Sequence, residues 1–383
     1  MFANAVVFES THLPLKHQQI DVRPLLPGEV LVRVIATTLC GSDLHTLSGR
    51  RNVATPTILG HEILGRIVAF GDDHPRLDYF DQTLSEGDRV TWAIVAHCGD
   101  CCYCQWSIPQ KCERSVKYGH ETTQVHGALT GGLAEYVILA PRTSIFQVPP
   151  LVLDAVACPA NCATATVAGA FQNSHVLATR LSQQAGLESQ RQRIQSLAVS
   201  RPLAGQHIVV LGGGMLGVTA CKMAKWLGAA YVICVEPIAK RRALTLSFGT
   251  DQAVAPEQLL EVVKQVRTQG FDLALELSGA TAAIDVALPA LRIGGEIILI
   301  GAVFPVPELK VLPEQIVRRM IRIQGIHNYA PADLALALQF LSEQEQEPFA
   351  AMVPIWMTLA ETEQAIRQAE ETKAPRVGIL FDR

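Results

Sequence analysis

No stretch of 18 or more apolar residues occurs in the 383-residue chain, so nothing in it reads as a membrane-spanning helix. Charge is sparse at 18% and nearly balanced, 32 basic against 36 acidic residues for a net −4. There is no basic tract and no basic excess. That excludes the electrostatic footprint of a nucleic-acid binder or of a protein drawn to an anionic membrane surface. The opening residues, MFANAVVFESTHLPLK, lack the basic, then apolar, then small-residue order of an export signal, so a cytoplasmic chain is expected. Internal repeats and long linkers are also missing. In a reducing compartment disulfides are not expected, and the chain's 10 cysteines need another explanation.

What is present is a hydrophobic fraction of 49% on a chain long enough for two cores. Up to about residue 160 the texture is β-rich: EVLVRVIATTLC, LGRIVAFG and GDRVTWAIVA are strand-like and separated by Gly and Asp turns. After Pro159 an Ala-rich helical stretch begins. From His207 short apolar runs (HIVVLG, YVICVE, FDLALELSG, EIILIGA) alternate with helical spacing, which implies a parallel sheet covered on both faces. The Asp-rich segment 72–86 reads as an exposed loop. A Gln-rich insertion at 176–202 has no assigned role.

Five cysteines lie in HCGDCCYCQWSIPQKC. Cys98, Cys101, Cys104 and Cys112 have the spacing C-x2-C-x2-C-x7-C, which closes a tetrahedron of thiolates around zinc, with Gly99 in the tight turn and Cys102 pointing away. Four protein ligands saturate the ion, so this site is structural. Upstream, Cys40, His61 and Glu62 sit beside glycines at the ends of strand-like segments, and Asp43 is placed to accept a hydrogen bond from the far nitrogen of His61.

A second signal is G-x-G-x-x-G at Gly212, Gly214 and Gly217, after one strand and before a helix, with a further strand ending in Glu236. That context is what dinucleotide binding requires. Gly212 makes the turn, Gly214 lets the backbone approach the pyrophosphate, and Gly217 lets the helix pack closely on the sheet. Glu236 suits ribose hydroxyls and opposes a 2′-phosphate, favouring NAD; Lys240, Arg241 and Arg242, just beyond, weaken that preference.

In order along the chain, CGSDLH, GHEILG, the four-cysteine lobe and the Gly-rich turn resemble the zinc-dependent medium-chain dehydrogenase/reductase family of the alcohol dehydrogenase type. The resemblance spans essentially the whole chain. It implies an α/β architecture: a β-rich GroES-like catalytic domain at 1–163 and 328–383, and a doubly wound parallel-sheet Rossmann domain at 164–327. It implies two zinc ions per chain and NAD. The catalytic zinc would be held by Cys40, His61 and a cysteine of CPANCATAT. Cys158 and Cys162 would share one face of a helix, and the family spacing to the nicotinamide-contacting Thr166 selects Cys162. Glu62 resembles the glutamate that approaches the metal, Ser42 and His45 the proton relay. Arg376 resembles the arginine on the pyrophosphate, and Ile94 a pocket-wall residue. A second Gly-His-Glu, at Gly119 to Glu121, reads as loop and possible pocket wall.

A small-molecule alcohol is the implied partner, with a homodimer or homotetramer as the assembly. The pair Arg50 and Arg51, with Lys117 and His120, would form a cationic rim suited to an anionic substrate. The surrounding motifs also look like a branch of the family associated with phosphonate catabolism. The alternatives are a general alcohol, polyol or threonine-type dehydrogenase, and a zinc- and NAD-binding protein without catalysis.

Overall fold

A computed structural model describes residues 1–124, 127–177, 192, 196–197 and 200–381. Most of the 176–202 insertion lies outside them. Among the described residues no helix is long and apolar enough to cross a membrane. The chain divides into two compact units: Met1–Cys162 with Leu341–Arg383, and Ala163–Phe340.

The first unit is built on a mixed seven-stranded sheet. Its order is Ile145–Gln147, Arg89–Trp92, Glu62–Phe70, Val30–Leu39, Val377–Leu380, Ile355–Thr358, with Tyr136–Leu139 paired to the first half of Val30–Leu39. A three-stranded sheet and the two-stranded ribbon Val95–Ala96 with Val116–Lys117 complete it. Alternation decides the faces. Val32 and Val34 are fully buried with Ile63, Ile67, Trp92 and Tyr118, whereas Arg33 and Ile35 between and beyond them face outward. The segment 72–86 is mostly exposed loop, as expected, apart from Leu84, which packs into the core, and the buried Asp78, whose carboxylate accepts from Phe80 N and Gln82 N and ties the loop to itself.

The second unit holds a six-stranded sheet in which every pairing is parallel. Its spatial order is Gln252–Val254, Tyr231–Val235, His207–Leu211, Phe271–Glu276, Leu291–Leu299, Arg322–Gly325. Counted along the chain that is 3-2-1-4-5-6, the doubly wound order of dinucleotide-binding sheets. Helices cover it, so the central strand His207–Leu211 is a continuous apolar run: Ile208, Val209, Val210 and Leu211 are all fully buried, each contributing about 1.5–3 kcal/mol. The sequence patterns thus give the mixed-sheet and parallel-sheet layers expected of them.

Candidate functional site

In the cysteine lobe the four sulfurs of Cys98, Cys101, Cys104 and Cys112 lie within 4.8 Å of one another. Cys101 and Cys104 are 3.5 Å apart, and Cys98–Cys104 and Cys101–Cys112 are both 3.9 Å apart. A tetrahedron of sulfurs at the zinc–thiolate bond length has edges of about 3.8 Å, so the donor set fits that ion. All four cysteines are free of disulfides. Backbone N–H groups of Cys98 and Arg114 donate to Cys112 Sγ, and that of Cys101 to Cys98 Sγ, which favours thiolates. Without a cation the charges cannot coexist: hydrogen bonds from the backbone hold Cys101 down at about 6, while burial and its neighbours push Cys104 up to about 12. Gly99, at φ +83°, makes the turn, and Cys102 points instead to Glu113.

The second group is Cys40, His61, Glu62 and Cys162, whose ligating atoms also lie within 4.8 Å of one another. Strand ends present three of them. Cys40 follows Val30–Leu39 and opens the helix Gly41–Leu47; Glu62 begins Glu62–Phe70. Asp43 ties them together: Oδ2 accepts from Cys40 N at 2.9 Å, and Oδ1 lies 3.2 Å from His61 Nδ1. That leaves His61 Nε2 for a metal. Ser42 Oγ is 3.4 Å from Nε2. Burial opposes a charged His61, but Asp43 and the Cys40 thiolate override it and push its pKa up to about 10. Cys40 is favoured as thiolate by hydrogen bonding from Cys162, which correspondingly holds its own proton. Two adjacent sulfurs sharing a proton beside a positively charged imidazole form a donor set that a divalent cation satisfies better.

Cys162 joins this group and Cys158 does not. The expectation that one helix presents both on a single face is corrected. Cys158–Asn161 is a single 3-10 turn, and Cys162 at φ −135°, ψ −76° breaks it before the helix Ala163–Asn173 begins. Cys158 is fully buried. The intervening Asn161, not singled out from sequence, fixes the segment: its Oδ1 accepts from Ile63 N and its Nδ2 donates to Trp92 O.

Arg376, expected on the pyrophosphate, is buried in this same cluster. Nε and Nη2 each donate to Glu62 at 2.7 Å, Nη1 donates to Pro375 O, and Nη2 lies 3.5 Å from Cys40 Sγ. Glu62 also accepts from Thr38 Oγ1 at 2.6 Å. Burial pushes the Glu62 carboxyl up, while Arg376 opposes the shift.

The second Gly-His-Glu is more than a loop. A Cβ on Gly119 would lie 2.5 Å from Gly60 O, so the two Gly-His turns approach backbone to backbone. This brings the His120 ring 5.0 Å from the His61 ring. Arg51 Nη1 lies 2.8 Å from His120 Nε2, and His120 Nδ1 is 2.9 Å from Tyr118 O. Arg51 is thus the donor to a neutral imidazole. Burial, with Arg51 and Lys111 nearby, lowers Lys117 to about 8. Arg50 is exposed and donates from Nε to Ser48 Oγ, so it does not join this group. Ile94 is buried, its carbonyl accepting from Tyr118 N. His45 is on the helix of Ser42, and burial followed by Arg50 lowers its pKa.

In the second unit Gly212 has φ +104°, and a Cβ on Gly217 would lie 1.8 Å from Gly212 O. Only glycine permits that approach of helix to turn. A Cβ on Gly214, which caps the helix Met215–Trp226, would meet nothing, leaving open the helix N-terminus that suits a phosphate. Glu236, just past the strand Tyr231–Val235, has Oε2 accepting from Gly213 N and Oε1 from Ile238 N. Arg242 is engaged with the carbonyls of Glu236 and Pro237, whereas Arg241 is half-buried on the same helix. Thr166 lies in the first turn of Ala163–Asn173.

Comparison with known proteins agrees with these features. The alcohol dehydrogenase GroES-like domain matches residues 26–150 and the zinc-binding dehydrogenase domain matches residues 216–343. The chain is similar to L-threonine 3-dehydrogenase of Vibrio parahaemolyticus, 25% identical over 316 residues, covering 81% of this chain and 79% of that one. It is 28% identical over 289 residues to the L-threonine 3-dehydrogenase of Francisella tularensis subsp. novicida, 72% of this chain and 70% of that one. Among solved structures, an alcohol dehydrogenase from Thermotoga maritima has TM-score 0.86 at 24% identity, and a benzyl alcohol dehydrogenase from Acinetobacter calcoaceticus 0.80 at 22%, each covering all of both chains; these likenesses speak to the fold. With two domain matches in the right order, two thiolate-rich centres of zinc geometry and a glycine-cradled dinucleotide turn, the chain belongs to the zinc-dependent medium-chain dehydrogenase/reductase family of alcohol dehydrogenases.

Proposed function

We propose that this enzyme oxidises, with NAD, an alcohol that carries a phosphonate or comparable anionic group. The observation that supports the reading is Arg51: its guanidinium is hydrogen-bonded to the imidazole that packs on His61, and Lys117 adds a second cation. A guanidinium one ring away from a metal ligand suits a substrate whose anionic head and hydroxyl are separated by a short chain.

In this reading the unit Met1–Cys162 with Leu341–Arg383 carries the catalytic metal and the unit Ala163–Phe340 carries the dinucleotide. Zinc, when bound, supplies Lewis acidity toward the substrate oxygen. Cys40, His61 and Cys162 hold it, and Asp43 fixes the His61 tautomer. Glu62, held by Arg376, stays beside the centre as a carboxylate whose charge the guanidinium balances. Ser42 and His45, three apart on one short helix, share a face; the Ser42 hydroxyl receives the substrate proton and His45, kept neutral by burial and Arg50, accepts it onward. Glu236 accepts from the adenosine ribose hydroxyls, and the engagement of Arg242 with backbone carbonyls supports NAD over a 2′-phosphorylated cofactor.

The named relatives favour a second reading, an amino-acid alcohol such as L-threonine. Initial rates of NAD reduction on 2-hydroxyethylphosphonate, L-threonine and 1-propanol separate the two. With the anionic reading, Arg51→Ala lowers kcat/KM for the phosphonate by about tenfold or more and leaves 1-propanol nearly unchanged. An equal loss on both substrates, or turnover confined to L-threonine, rejects it.

A further inference from the structure

Three arginines of the first unit stand in one cross-strand row. Arg33 on Val30–Leu39 is directly opposite Arg66 on Glu62–Phe70, and Arg66 is directly opposite Arg89 on Arg89–Trp92. Directly opposite residues point to the same face, so three guanidinium groups leave the sheet side by side, on the face turned away from the buried valines. Like charges in that arrangement destabilise a sheet. Only Arg89 is matched by a carboxylate: Nε and Nη2 donate to Asp154 Oδ1 at 3.0 and 2.6 Å, and Nη2 also donates to Val152 O. Arg66 donates to Gly87 O from Nη1. Among the described residues nothing hydrogen-bonds to the Arg33 guanidinium, and no carboxylate is in ion-pair reach of Arg33 or Arg66.

The row opens on a cavity of about 610 Å³, whose lining also includes Ile35, Pro150 and Phe381. That size and the mixture of an apolar floor with converging charged groups are those of small-molecule sites. Among the described residues, three arginines less Asp154 leave two positive charges with no carboxylate in ion-pair reach. We infer that this cavity is a second ligand site, outside the catalytic one, for an organic phosphate monoester: the dianionic head sits between Arg33 and Arg66, and an apolar body rests on Phe381 and Pro150. Arg89, anchored by Asp154, sets the edge of the head-group site. A phosphate carries close to two negative charges near neutral pH and three acceptor oxygens, matching two planar forks.

The test uses zinc-loaded full-length enzyme with saturating NAD, so that the dinucleotide turn is occupied, and calorimetric titration with phenyl phosphate, inorganic phosphate and phenol. Phenyl phosphate is expected to bind more tightly than either fragment. Arg33→Gln with Arg66→Gln should weaken it about tenfold or more, Arg33→Lys should weaken it less, and Arg51→Ala should leave it unchanged. Without ligand the double variant should melt at or above the wild-type temperature, because a like-charge contact is removed. Unaltered binding in the double variant, binding lost in Arg51→Ala, or a double variant that melts lower because the arginines brace the sheet would each overturn the site.

Discussion

At the scale of single residues, the pair Glu62–Arg376 carries the largest stake. Both side chains are buried, at 0% and 5% exposure, and joined by two 2.7 Å hydrogen bonds. Removing one member of a buried pair strands the other charge and costs about 3–5 kcal/mol. Arg376→Ala should lose that much in urea unfolding of the zinc-loaded protein, and adding Glu62→Gln should restore a good part of it; a single-variant loss below about 1 kcal/mol would contradict the assignment. Glu62 was legible in the sequence because it follows His61 at a strand start. Its partner was not: the two are 314 positions apart, and no local pattern marks such a contact. His120 was singled out as a rim and pocket-wall residue, but its packing on His61 was hidden for a similar reason. Its motif repeats Gly-His-Glu without the strand that follows His61, and only the close approach of Gly119 to Gly60 reveals why it is there.

At the scale of elements, the helix Pro331–Ser342 begins with a buried acid. Asp333 Oδ2 accepts from Ala330 N and Oδ1 from Gln172 Nε2, both at 2.8 Å. Burial raises its pKa to about 7, against the opposing hydrogen bond from Ala330. A carboxyl whose pKa is raised on folding keeps its proton in the native state where the unfolded chain has lost it. Its stabilising contribution is therefore full below the ordinary value of 3.8 and fades as pH rises through about 7. Denaturation midpoints measured from pH 5 to 8 should fall by a few kcal/mol equivalent in the wild type and more gently in Asp333→Asn; parallel slopes would refute the assignment. Strand and helix identities were readable because periodicity is local, as in HIVVL and VICV. The break at Cys162 was not, since Ala-rich sequence on both sides of it has helical composition and the turn is set by Asn161 reaching to Ile63 and Trp92.

At the scale of the whole molecule, both metal centres belong to one unit and the glycine-rich turn to the other. Stripping the metals with a chelator should abolish turnover and lower the thermal transition of the first unit, while NAD titration followed by fluorescence keeps its midpoint. A parallel loss of NAD binding would show that the second unit does not hold the dinucleotide by itself. The two sheets were legible from their contrasting patterns, alternation in one and continuous apolar runs in the other; the assembly of the first unit from two distant stretches of chain followed only from the family resemblance, because strand order is a long-range property that no local pattern marks. That discontinuity governs how the protein is born. The strand Val377–Leu380, flanked on both sides within its sheet by Val30–Leu39 and Ile355–Thr358, leaves the ribosome after all its neighbours, and Arg376 leaves just before it. Until then the nascent first unit carries an open sheet and a Glu62 without its Arg376 partner. The parallel-sheet unit, contiguous in sequence, emerges whole before that strand does, so its sheet can close while the first unit still lacks its central strand.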